Sequence, residues 1–212
     1  MRTRPTRGAS WYGRVLFLLF LCHAGLAVSQ PPPAQFGEER RPWLVMVARP
    51  DPADPARYIG VYGDDLSNAV ALFRDGVRMR PTIPQILQQG DEMEMGRDVI
   101  CVWRYAIGDV YIDSATRVRV GSLDVLFGKI FARVRGAFSV ENRNVVAGVE
   151  GTEFAFEVAA DGTTQITVLD GTVLSSSKNL PWKPLRVTRG QAFTVTDSGR
   201  QMRIGAASRI LK

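Results

Sequence analysis

VVAGVEGTEFAFEV, residues 145–158, is the stretch on which the fold turns. Side chains alternate along an extended chain, so Phe154, Phe156 and Val158 point one way and Glu153, Ala155 and Glu157 the other. That pattern predicts a strand with its aromatic face in a core and its acidic face in water. Just before it, Gly148 and Gly151 permit backbone conformations or close approaches that a Cβ would block. The Thr152 hydroxyl can return to a neighbouring backbone group. The segment therefore reads as a corner from one strand into the next, with Gly148, Gly151, Thr152 and Phe154 as its structural motif. Glu150 and Glu153 are the candidate interaction residues.

Working outward, Asp161 with Gly162 and Asp170 with Gly171 read as hairpin signals between alternating strands. DVICVWRYAI, DVYID, TRVRV, KIFARVRG, AFSVE, TTQITVL, TVLSSS, LRVTRG and QAFTVTD alternate or are rich in β-branched residues, with turns roughly eight to twelve residues apart. This cadence predicts an all-β, mainly antiparallel fold, either a sandwich or a short solenoid-like roll of short strands. GDEMEMGRDVICV from Gly90 and GDVYIDSATRVRV from Gly108 echo one another, which favours rolled or stacked units. One helix is expected on the N-terminal side. Asp64 and Asp65 precede LSNAVALFRDG, where Leu66, Ala69, Val70 and Phe73 fall at helical spacing and Gly76 offers a stop.

The first 29 residues carry Arg2, Arg4, Arg7 and Arg14, no acidic residue, and then an apolar run ending at Ala27, Val28 and Ser29. This is the pattern of a secretory signal peptide. The run is about fourteen residues, shorter than the roughly twenty a bilayer span needs, so a membrane association is expected only if the signal stays uncleaved. Without those four arginines, 23 basic residues face 21 acidic ones, a balance near neutrality that gives no reason to expect nucleic acid. QPPPAQFGEERRP, residues 30–42, suits an extended linker.

Export also shapes the chemistry. Cys22 and His23 both lie in the signal, leaving Cys101 without a disulfide partner and no histidine in the remainder. Ser-His-Asp, Cys-His and histidine-based metal sites are thereby excluded there. Glu150, Glu153 and Glu157 cluster around the opening motif, but on a strand they are better explained as a solvated face than as an acid–base pair. The glycines are followed by no Lys-Ser/Thr and by a strand instead of a helix, which removes a phosphate cradle. No catalytic residue, cofactor or metal is expected.

From about Gln88 to Gly199 the chain resembles the FecR domain, a periplasmic module of bacterial iron-uptake signalling proteins and of other exported proteins. The resemblance rests on QGDEMEMGRDVICVWRYAIGDVYIDSATRVRVG, LFGKIFARVRGAFSV, VVAGVEGTEFAFEV, ITVLDGTV and LRVTRGQAFTV. The family usually has arginine just before the central Gly-Thr pair, where this chain has Glu150. The resemblance implies a periplasmic, non-enzymatic binding or scaffolding domain whose partner is another envelope protein or, alternatively, a cell-wall polymer. For a wall polymer, Trp103, Tyr105, Tyr111 and Trp182 would be the stacking platforms. A second alternative is a signalling regulator linked to iron uptake. The expected organisation is a signal at 1–29, a linker at 30–42, N-terminal strands plus helix at 43–87, the FecR-like β-domain at 88–200 and a C-terminal strand or tail at 201–212.

Overall fold

The computed structural model describes residues 41–196 and 202–207. The expected signal and nearly all of the linker lie outside the described residues.

Within them the chain weaves between two sheets that close on one core. Sheet A opens with β1 (Trp43–Pro50) and β2 (Tyr58–Gly60). After the helix α1 (Asp64–Ala69), the hairpin of β3 (Val70–Arg74) and β4 (Val77–Met79) begins sheet B. The short β5 (Gln85–Ile86) returns to β1, and β6 (Glu92–Met95) joins β3. A hairpin of β7 (Ile100–Tyr105) and β8 (Gly108–Ile112) lies in sheet A, and β9 (Arg117–Arg119) in sheet B.

The long β10 (Leu123–Val134) belongs to both sheets: its first half pairs with β9 and its second half with β8. Hairpins then alternate between sheets. Sheet B takes β11 (Ala137–Glu141) with β12 (Val145–Glu150), and sheet A takes β13 (Glu153–Val158) with β14 (Thr164–Asp170). Next, β15 (Thr172–Ser177) and β16 (Leu185–Thr188) lie in sheet B, and β17 (Gln191–Val195) and β18 (Met202–Ala206) in sheet A. Neighbouring strands run antiparallel except β10 and β11, which touch in parallel at Leu123–Val140 and Asp124–Glu141. The fold is thus mainly antiparallel β, rolled between two layers, as the cadence of short strands predicts.

Most crossings from one sheet to the other turn at a residue with left-handed φ, among them Asp98, Ala115, Gly128, Gly151, Gly171 and Gly190; the crossing from β10 to β11, through Arg135 and Gly136, does not. A left-handed residue redirects the chain sharply without ending its extended run, and glycine does so at least cost. The echo between Gly90 and Gly108 has the same origin, since β6–β7 and β8–β9 are both strand–corner–strand units, crossing in opposite directions.

Two local readings change in three dimensions. Asp161 and Gly162 do close a hairpin, β13 to β14, but Asp170 and Gly171 do not: β14 pairs with β13 and β17, and β15 with β12 and β16. The helix also stops at Ala69, and Val70–Arg74 is strand. Val70 and Leu72 are buried and stand opposite Met95 and Met93, so the alternation of two prevails over the helical spacing. Gly76 is half of an Asp75–Gly76 hairpin turn with φ of 52° and 76°, not a helix stop.

The core fills the space between the layers. Phe154 and Phe156 are fully buried there beside Trp103, Phe193, Leu72, Met93 and Leu123, each aromatic ring contributing on the order of 2–3 kcal/mol by leaving water. On the opposite face of sheet A, Val102, Tyr111, Phe131 and Ala155 form a second buried row across β7, β8, β10 and β13.

Candidate functional site

The 145–158 segment runs from sheet B through Gly151 into sheet A. Thr152 is buried at the corner, and its hydroxyl lies 3.2 Å from the Glu150 carbonyl and 3.0 Å from that of Thr172. Its backbone exchanges hydrogen bonds with Val134, at 3.0 Å and 3.1 Å. Thr116 repeats the device. Its hydroxyl lies 3.2 Å from the Ser114 carbonyl and 3.3 Å from that of Lys129. In each case the residue before the threonine has left-handed φ, Ala115 or Gly151, and the second acceptor follows a left-handed glycine, Gly128 or Gly171. One hydroxyl thus ties a corner to the neighbouring strand.

Gly148 stands elsewhere. It lies on the outward row of sheet B between Ser139 and Leu174, and a Cβ there would meet only the Leu174 carbonyl at 3.9 Å. Phe154 lies in the core. Of the glutamates, Glu153 pairs with Arg133 directly across the strand, and Glu157 with Lys129 at 2.9 Å. Glu150 is exposed and makes no ion pair among the described residues.

The outward face of sheet B carries a charge ladder. Glu92 accepts hydrogen bonds from Arg117 at 2.6 Å and from Arg119 at 2.6 Å, and Arg119 also lies 3.5 Å from Asp124. The Arg117 guanidinium sits 5.8 Å over the Phe73 ring. Hydrogen bonds from Arg119 and Arg117 hold the Glu92 carboxyl below its usual range, against the opposing effect of burial. Asp124 goes the other way: burial raises it, although Arg119 and Lys178 pull it down. Burial likewise pushes the Cys101 thiol up, away from thiolate chemistry. Among the described residues no group of three His, Cys, Asp or Glu side chains is placed to hold a metal ion.

A concave site opens where β11 leaves β10. The two strands pair only at Val140 and Glu141 of β11, so Ala137–Ser139 pair with β12 on one side and face a cavity on the other. The cavity holds about 440 Å³, lined by Gln89, Tyr105, Ile107, Gly121, Ser122 and the backbone end of β11. Phe138 forms one wall, edge-on to Tyr105 at 5.1 Å between ring centroids. Tyr105 is 6% exposed and its hydroxyl has no hydrogen-bond partner. Burial pushes that phenol up, keeping it a neutral donor. Arg135, exposed and two residues before Ala137 in the chain, is fixed through its backbone N–H to the carbonyl of the lining residue Ile107 at 2.8 Å and makes no ion pair among the described residues.

Sequence reading takes Thr152 as a corner residue and misses this cavity. Gln89, Ser122 and Ser139 carry no local motif. They meet only because the β5–β6 loop, the β9–β10 turn and β11 converge at one end of the roll. The four rings considered as stacking platforms are packed away: Trp103 is fully buried, Tyr105 and Tyr111 nearly so, and Trp182 packs on Phe193 at 5.8 Å.

Comparison with solved structures finds two crystal structures of a candidate anti-sigma factor from Parabacteroides distasonis. Each is 16% identical with a TM-score of 0.48, covering 54% of this chain and 59% of that one. The similarity thus extends over little more than half of that protein's length. Comparison with curated proteins finds no match. The family model described as FecR protein matches residues 107–174, from the tip of the β7–β8 hairpin to β15, with the Gly151–Thr152 corner inside it. The FecR similarity thus lies on residues 107–174, about a third of the chain.

Proposed function

We propose that this chain is a non-enzymatic binding or scaffolding module of the bacterial cell envelope, working through protein–protein contacts. The observation that carries the reading is the FecR match across the strands that build the roll and its threonine corner. The chemistry of the side chains supports it. Glu153 and Glu157 serve as cross-strand ion-pair partners, and Cys101 lies in the core. Among the described residues no helix is long and apolar enough to cross a membrane. A cell-wall ligand is less well supported, because the rings that would stack on sugars are packed inside. A link to iron-uptake signalling rests on the family resemblance alone.

The exposed Glu150 is the position to probe. With a photo-crosslinking residue at position 150, and in a second strain at Leu174, ultraviolet irradiation of cells is expected to trap an envelope protein identifiable by mass spectrometry. Absence of adducts at both positions and at Ser122 and Ser139 overturns the reading. Retention of the purified chain on cell wall free of other proteins transfers support to the carbohydrate alternative.

A further inference from the structure

We infer that the cavity between β10 and β11 receives an extended peptide of a partner protein, added as a strand along Ala137–Ser139, with an apolar side chain in the cavity and an acidic residue beside Arg135. This rests on the protein-contact reading above and specifies its site. The first ground is the backbone. Ala137–Ser139 pair with β12 alone, so main-chain groups on the other edge face the cavity, and an unpaired edge is a template for another strand. From Ile130 to Arg133 β10 pairs on both sides, with β8 and β13, whereas beside Ala137–Ser139 the chain that enters β10 turns away at Gly121 and Ser122 and leaves room along the line of the strand.

The second ground is the chemistry of the walls. Ile107, Phe138 and the ring of Tyr105 give an apolar floor to the cavity, whose volume of about 440 Å³ has room for a side chain and the backbone that carries it. Ser122, Ser139 and Gln89 surround it with groups that can bond to a peptide backbone. The Tyr105 hydroxyl is a buried donor without an acceptor, an arrangement that is unfavourable unless something supplies one. A small shift of the Phe138 ring would bring it within reach of a carbonyl or carboxylate on the incoming peptide. The third ground is charge. Arg135 stands two residues before the open edge, exposed and without an ion pair, while Glu153, Glu157, Glu92 and Asp109 are already taken by other cations. An acidic residue on the peptide complements it, which commits the partner to an apolar–acidic segment in extended form.

The test uses the full chain and a phage-displayed library of random peptides about eight residues long, roughly the length of a strand. Selection is expected to enrich peptides in which an apolar residue and an acidic residue recur at fixed separation. A synthetic peptide of the enriched sequence should slow amide exchange at residues 137–139. Ser122→Trp, which fills the cavity from a turn, should weaken its binding about tenfold or more, and Arg135→Glu several-fold, with the melting temperature of each variant unchanged. Failure to enrich, binding that survives Ser122→Trp, or exchange at 137–139 that does not slow would each overturn the inference. Photo-crosslinkers at Ser122 and Ser139, compared with those at positions 150 and 174, separate the two levels. Adducts at 150 or 174 with none at 122 or 139 refute the cavity and leave the protein-contact reading standing, whereas no adducts anywhere remove both.

Discussion

A Cβ at Gly171 would stand 2.8 Å from the Gly151 carbonyl oxygen and 2.9 Å from the Thr152 hydroxyl, in a backbone with φ of 85°, whereas a Cβ at Gly151 would meet nothing within 4 Å. Both glycines have left-handed φ, but only Gly171 is also short of space. Ala115 occupies the place of Gly151 in the companion corner, so a methyl there is tolerable. Gly151→Ala is therefore expected to cost about 1 kcal/mol, the ordinary left-handed penalty, and Gly171→Ala about 3 kcal/mol or more. Urea denaturation of the two variants checks the order, and equal losses would refute the crowding argument. Thr152→Val keeps the shape and removes the hydroxyl from two buried carbonyls, for an expected loss of about 1–2 kcal/mol by the same measurement. The need for a small, flexible residue and a hydroxyl is legible in VVAGVEGTEF. Which of the neighbouring glycines is irreplaceable is not, because Gly171 reaches the corner from a strand twenty residues later in the chain.

At the scale of the element, the ladder on sheet B joins β6, β9 and β10 through charges of opposite titration behaviour. Glu92 has its folded pKa depressed by Arg119 and Arg117. Its contribution is therefore present above the unfolded value and lost as pH falls through the folded one. Asp124 has its folded pKa raised, chiefly by burial, so its contribution is present below the unfolded value and lost as pH rises through the folded one. Glu92→Gln should lower stability at neutral pH by about 1 kcal/mol, part of the pair being solvent-screened, and flatten the acid limb. Asp124→Asn should raise stability slightly at neutral pH. Urea midpoints between about pH 3 and pH 7 test both, and a shift of the same sign in the two variants would contradict the assignment. The alternation of Arg117 and Arg119 predicts a solvated face. Only the pairing of β9 between β6 and β10 supplies the carboxylates that meet them.

At the scale of the whole molecule, β10 is the strand both sheets share, and it changes sheet at Gly128. A Cβ there would lie 2.4 Å from the Thr116 hydroxyl and 2.6 Å from Thr116 Cα. Because the strand carries pairing in both layers, the two should unfold together. Tryptophan fluorescence, dominated in the core by Trp103 of sheet A, and far-ultraviolet circular dichroism should report one coincident urea transition. Gly128→Ala should shift both signals together by about 3 kcal/mol. Separate transitions would mean the sheets are independent units.

Residues 145–158 by themselves determined that this region is strand, which face is apolar and that a turn precedes it, since those properties depend on side-chain period and on local backbone freedom. The same local information is ambiguous at Val70–Arg74, where helical spacing and alternation coexist, and burial against Met93 and Met95 decides for strand. It is ambiguous again at Asp170–Gly171, where the chemistry of a hairpin turn also suits a corner. Whether a strand folds back on its predecessor or crosses to the other sheet depends on which edges are still unpaired, a property of the assembled roll. The cavity beside β11 belongs wholly to tertiary structure: its walls come from segments distant in sequence, and its open edge exists only because β10 and β11 part after two residue pairs.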